Sequence, residues 1–245
     1  MKPITIALVA LTLLCNNFLF AQKVINDKNA NAQKRDITAP FTAISVSSGV
    51  AAYLTEGADE AVAVSAVSDE YRDRIITEVK NGTLYISYKH DNTKKWVNGD
   101  KRLKAFVSYK SLKNIRISSG GSITSNEYIK SDKLDMDLSS GAVFNGSLKA
   151  NKASISQNSG AVVNISGTVQ QLDVSSSSGA IFNGKELSTV SCEATASSGG
   201  MVKVSCSEAI NANASSGGKI TYNSSNNAIS VKKTKSSGGA IVSSK

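Results

Sequence analysis

The chain predicts an all-β protein built as a parallel β-helix, expected to be right-handed, with coils of about twenty residues. Three observations carry that prediction. First, two small polar residues and a glycine recur seven times, ending at Gly120, Gly141, Gly160, Gly179, Gly199, Gly217 and Gly238. Subtracting successive glycine numbers gives 21, 19, 19, 20, 18 and 21. Second, the third residue after each glycine is apolar: Ile123, Phe144, Val163, Phe182, Val202, Ile220 and Ile241. Third, the residue directly after each glycine is Gly or Ala throughout. Strand side chains alternate with period two, so the small and apolar columns face the same way, with the small residue in a tight corner.

Each coil then holds a strand, a Ser-Ser-Gly corner and a second strand. Glycine supplies the special backbone that a sharp corner needs. Five residues before the glycine stand Ile115, Met136, Ile155, Val174, Ala194, Ala212 and Lys233, an inward column broken only in the last coil. The residues between, Arg116, Asp137, Ser156, Ser175, Thr195, Asn213 and Thr234, read as the wet face. An antiparallel meander would not require every corner to look alike. Stacked coils do, because equivalent positions share one environment.

The chain in order begins with a signal-peptide pattern over 1–21: Lys2, an apolar run over 4–14, then Leu19-Phe20-Ala21 before Gln22. Asn16 and Asn17 keep that run short of a comfortable membrane span. Cys15 lacks the small residue before it that a lipidation site wants. The expectation is therefore export, to the periplasm or the cell surface. Residues 22–36 are polar and read as a flexible leader. Residues 37–111 read as a β-rich portion that begins and caps the solenoid, and 112–245 as the regular coils. Strands are expected over 42–46, 50–55, 61–66, 75–79, 84–88 and 103–109. A corner at Ser47-Ser48-Gly49 matches the later ones, Ser68 opens a short helix, and Asn81-Gly82 makes a hairpin turn.

Charge is 28 basic against 19 acidic residues, net +9, or +8 once Lys2 leaves with the signal segment. This mildly favours anionic partners, but no clustered nucleic-acid footprint accompanies it. Cys192 and Cys206 read as buried small hydrophobes, with a disulfide as the alternative that an oxidising compartment permits.

Several ordered blocks carry a family resemblance: FTAISVSSGVAAYLTEG over 41–57, then Asn81-Gly82-Thr83-Leu84, then VSYKSLKNIRISSGGSI over 107–123 with the Ser-Gly-Ala coils after it. Across about residues 36–245 the chain resembles DUF2807, an exported bacterial family named for autotransporter-adhesin head domains. The resemblance implies a β-helical fold and export, and it brings no catalytic residues. No membrane-anchoring β-barrel is evident, so the chain is not expected to be a complete autotransporter.

Chemistry is sparse. The single histidine, His90, reads as an exposed loop residue. Metal-ligand spacings and phosphate-binding glycine loops are absent, so neither a metal nor a cofactor is expected. The candidate ligand site is the basic loop Lys94, Lys95, Trp96, Lys101 and Arg102, where an exposed indole among cations suits a sugar or an anionic polymer; packing of Trp96 against the solenoid is the structural alternative. A second candidate is the outward acidic strip Asp135, Asp137, Asp173 and Glu193. Asp135 and Asp173 lie two coils apart, about 10 Å, too far for joint calcium ligation. The serine ladders offer a third, hydroxyl-rich strip. The function expected is a non-enzymatic binding or adhesion module of the cell envelope, its partner a glycan or another envelope or host surface component. The alternatives are a polysaccharide-active enzyme and a structural scaffold. Self-association through a solenoid end or edge is also expected.

Overall fold

The computed structural model describes residues 31–90, 100–224 and 229–244. Its regular body consists of long strands, one per coil, joined by the repeated corners. They are β9 (Ser122–Leu138), β10 (Val143–Gln157), β11 (Val162–Ser176), β12 (Ile181–Ala196) and β13 (Met201–Ala214). β14 (Lys219–Asn223), β15 (Ser230–Lys235) and β16 (Ala240–Ser243) continue the pattern. Every pairing from β9 to β16 is parallel and nearly in coil register: Phe144 lies opposite Ile123, Val163 opposite Phe144, and Phe182 opposite Val163. The chain is thus a β-solenoid.

The corners explain why Ser-Ser-Gly recurs. In each one the residue after the glycine donates its N–H back to the first residue of the tripeptide, as in Gly121 to Ser118 at 2.9 Å and Ala180 to Ser177 at 3.0 Å. Both central residues have positive φ, for example Ser178 at 51° and Gly179 at 74°. That is a type I′ turn, which pairs a tolerant polar residue with glycine. The corner glycine donates onward to the second corner residue of the next coil, from Gly120 to Ser140 at 2.9 Å through to Gly217 and Ser237 at 3.3 Å. The following small residue is needed for space. A Cβ on Gly200 would run into the carbonyl oxygen of Ser176 on the coil before.

Between the corners the inward columns form one continuous core. Ile123, Phe144, Val163, Phe182, Val202 and Ile220 are essentially inaccessible, as are Ile115, Met136, Ile155, Val174, Ala194 and Ala212. Each Val, Ile, Met or Phe side chain among them contributes about 1.5–3 kcal/mol when fully buried, and the alanines less. Lys233 is exposed at the end of its column. Gln157 and Ser176 form a polar pair inside the core, joined at 2.6 Å. Cys192 and Cys206 are buried free thiols, and burial pushes the Cys192 thiol well above its usual range, with Cys206, Asp173 and Glu193 adding smaller effects.

The N-terminal portion stacks out of sequence order. β2 (Ala43–Val46) and β3 (Ala51–Glu56) flank the Ser47-Ser48-Gly49 corner. β2 lies between β6 (Thr83–Tyr88) and β8 (Asn114–Ile117), and β3 between β7 (Lys104–Tyr109) and β9. The early corner therefore sits directly on a later one, with Gly49 donating to Ser119 at 3.1 Å. β4 (Ala61–Ser65) and β5 (Ile75–Lys80) add antiparallel strands beyond β7 and β6. The short helix α1 (Asp69–Arg72) is capped by Ser68, as expected. At one point the chain departs from the sequence reading: within the polar leader, β1 (Gln33–Arg35) pairs with β4. Among the described residues no helix is long and apolar enough to cross a membrane.

Candidate functional site

The sequence-nominated basic loop is only partly visible. Lys94, Lys95 and Trp96 lie outside the described residues. Lys101 places its Nζ 4.9 Å from the Tyr88 ring centroid and 5.7 Å from that of Tyr71. Arg102 turns back on Asp100, its backbone N–H and Nε donating to that carboxylate at 3.0 and 3.3 Å. These two cations pack locally at the N-terminal end of the solenoid.

The acidic strip is stacked as the sequence implied. Register gives the outward column Asn114, Asp135, Ser154, Asp173, Glu193, Asn211 and Lys232, so Asp173 and Glu193 are direct neighbours while Ser154 separates Asp135 from Asp173. Asp135 pairs with Lys133 at 3.1 Å and Asp137 with Arg116 at 3.4 Å. Asp173 and Glu193 line an open depression of about 380 Å³ with Lys152 and Lys232 at its margins. Among the described residues no three His, Cys, Asp or Glu side chains converge enough to hold a metal ion. In the strip, Asp135 and Asp137 are each held by a cation, while Asp173 and Glu193 stand side by side on adjacent coils.

The structure reveals a better-built site on the other outward face. Four residues after each corner glycine the column reads Tyr53, Thr124, Asn145, Asn164, Asn183, Lys203, Thr221 and Val242. Three successive amides form a ladder: Asn183 Nδ2 donates to Asn164 Oδ1 at 2.8 Å, and Asn164 Nδ2 to Asn145 Oδ1 at 2.8 Å. Each donating amide spends one of its two N–H groups on the ladder. Strand register is irregular just beyond Asn145 against β9 and just beyond Asn164 against β12. Such bulges re-aim side chains. They help open a groove of about 410 Å³, lined by the three asparagines with Lys185, Glu186 and Lys203. Beside the amides runs a half-buried apolar shelf: Val143, Val162, Ile181 and Met201. At the N-terminal end of the column Tyr53 stacks on Phe106, centroids 5.5 Å apart and planes 20° apart.

The signal for this ladder was present in the sequence as Asn at one offset in three consecutive coils. Its column points outward, one residue out of phase with the apolar core column.

The class the fold defines is a β-solenoid, here with amide and aromatic side chains along one outward column. The chain belongs to the family described as "Putative auto-transporter adhesin, head GIN domain", whose model matches residues 40–226. The fold is shared with a "putative adhesin" from Bacteroides fragilis, at TM-score 0.76 and 20% identity over 89% of this chain and 98% of that one. A "putative adhesin" from Parabacteroides distasonis aligns at TM-score 0.68 and 18% identity, over 87% and 96% of the two chains. Another protein of that organism, described as a "putative lipid binding protein", gives 0.63 and 18% over 89% and 98%. No curated protein matches the sequence.

Proposed function

We propose that this is an exported, non-enzymatic adhesion module that holds an extended glycan along the outward column from Tyr53 to Lys203. The observation that carries it is the amide ladder Asn145, Asn164 and Asn183, running between an apolar shelf and charged neighbours and continued by the Tyr53 ring. Glycans present hydroxyls at their edges and C–H surfaces on their faces. Amides suit the first, while the shelf and the aromatic ring suit the second. Adjacent coils repeat about every 4.8 Å, so one polymer strand meets equivalent groups in successive coils. Lys185 and Lys203 against the single Glu186 favour acidic over neutral chains.

The test is a glycan array probed with the wild-type protein and with Asn164→Ala. Saturable binding to a subset of glycans, lost in the variant while its melting temperature holds within a few degrees, supports the proposal. A large drop in melting temperature with unchanged binding would make the ladder a coil clamp, the scaffold reading. Release of new reducing or unsaturated ends from any bound glycan would replace adhesion with an enzyme. For placement, protease shaving of intact cells should remove the protein while a periplasmic control survives. Protection until lysis would put it behind the outer membrane.

A further inference from the structure

The last coil differs from all others in charge. From residue 209 onward the sequence has no Asp or Glu and five lysines, Lys219, Lys232, Lys233, Lys235 and Lys245, which is +5 of the chain's net +9. Three of them stand on β15, which is exposed along its whole length. Lys233 and Lys235 occupy inward columns, directly over Ala212 and Ala214. Lys233 folds across the end of the core, its Nζ 4.9 Å from the Tyr222 ring centroid. Val231, over Ile210 in the inward column of Leu172 and Cys192, is 37% exposed.

Among the described residues the same coil has no strand on its outer side: β15 pairs only with β13, and β16 only with β14. The onward hydrogen bond made by each earlier corner glycine has no counterpart at Gly238 among the described residues. Such an edge accepts an added strand. A second copy is the wrong occupant: its own last coil carries the same inward lysines, which oppose edge-to-edge pairing. The opposite end does not complement it either. β1 reads Gln33-Lys34-Arg35, and the one carboxylate on β5, Glu78, is held by Lys80 at 2.8 Å.

We infer that the outer edge of β15 receives an extended acidic segment of another protein. Strand alternation fixes its pattern. In the parallel register of the solenoid, an apolar residue covers Val231, and carboxylates two and four residues later meet Lys233 and Lys235.

The test uses fluorescence anisotropy on the full chain with two labelled peptides of equal composition, TVTETET and TVTEETT. The alternating peptide should saturate, and the one with adjacent glutamates should bind at least about tenfold more weakly, since only the first can align both charge-assisted bonds. The exposed pair Lys233→Gln and Lys235→Gln should lower affinity for the alternating peptide by a similar factor, while the lost Lys233 contact with Tyr222 lowers the melting temperature by no more than a few degrees. Lys149→Gln, far along the solenoid, should leave it unchanged. Equal binding of the two peptides would reduce the site to unspecific polyanion attraction and overturn the inference. So would no binding, or insensitivity to the double variant. A dimer in light scattering with β15 protected from hydrogen exchange would assign the edge to a second copy and overturn it as well.

Discussion

Phe182 and Gly184 should behave as one packing unit. Phe144 and Phe182 are the two aromatic members of their inward column, and two residues beyond them stand Gly146 and Gly184, where other coils have Ile165 and Val204. A Cβ on Gly184 would meet the Phe182 ring, and it would approach the Lys203 carbonyl oxygen to 3.2 Å. Phe182 is fully buried, so its ring fills the space the glycine leaves. Phe182→Val alone opens a cavity and should cost about 2–4 kcal/mol, just under the usual range for Phe→Ala. Gly184→Val alone forces a branched side chain against that ring and should cost about 1–3 kcal/mol. The double variant recreates the Val202 and Val204 pair of the next coil and should recover most of both losses, a favourable coupling of about 2 kcal/mol. Urea unfolding at constant m-value measures all four proteins and confirms that one transition is compared. Simple additivity of the two single losses would refute the argument.

Other consequences follow from single positions. Ser159 sits at φ 52° in its corner, so the β-branched Ser159→Val should lose about 1–2 kcal/mol, whereas Ser159→Asn should hold or gain stability. Equal midpoints in urea for Val and Asn would remove the turn argument. The Tyr109 hydroxyl is buried with no hydrogen-bond partner among the described residues, and burial pushes its phenol well above its usual range. Tyr109→Phe should therefore keep or raise the urea midpoint, and a loss beyond about 1 kcal/mol would show a hydrogen bond at that hydroxyl. The raised pKa of Cys192 means the folded state holds its proton longer than the unfolded one. Stability linked to it is complete below about pH 8.5 and declines as pH rises past that value. Melting scans from pH 7 to 10 should show this slope reduced in Cys192→Ala, and an identical slope would reject the linkage.

Much of the fold was legible because a solenoid repeats its environments. Seven corners, the small residue after each, and the apolar column all follow from one spacing rule, and the structure places Ile123 through Ile241 in the core. Local chemistry identified the Ser68 cap and the Asn81-Gly82 turn, whose residues have φ of 50° and 70°. What stayed hidden depended on neighbours in space. Nothing local in Gln33–Arg35 announces pairing with β4, since three polar residues show no strand periodicity. The stacking of the Gly49 corner on Gly120 is a long-range fact, set by β2 fitting between β6 and β8. Gln157 reads as a surface residue until Ser176 is found opposite it inside the core. For the candidate site, the column rule aligns Asp135, Asp173 and Glu193 but gives no ion-pair partners. The asparagine ladder has no local signature, because asparagine in a β protein first suggests a turn.

The claim that the outward column holds an extended polymer is tested most directly by chain length. Oligosaccharides of increasing length, cut from a glycan the array identifies, would be titrated calorimetrically against the wild-type protein and Tyr53→Ala. From Tyr53 to Lys203 the column spans five coil steps, about 24 Å at 4.8 Å each. Affinity should rise with each added sugar until that length is filled and then level off, with the plateau reached one or two units earlier in Tyr53→Ala. Affinity that is independent of length, or a profile identical in the two proteins, would place binding at a single pocket elsewhere and contradict the account.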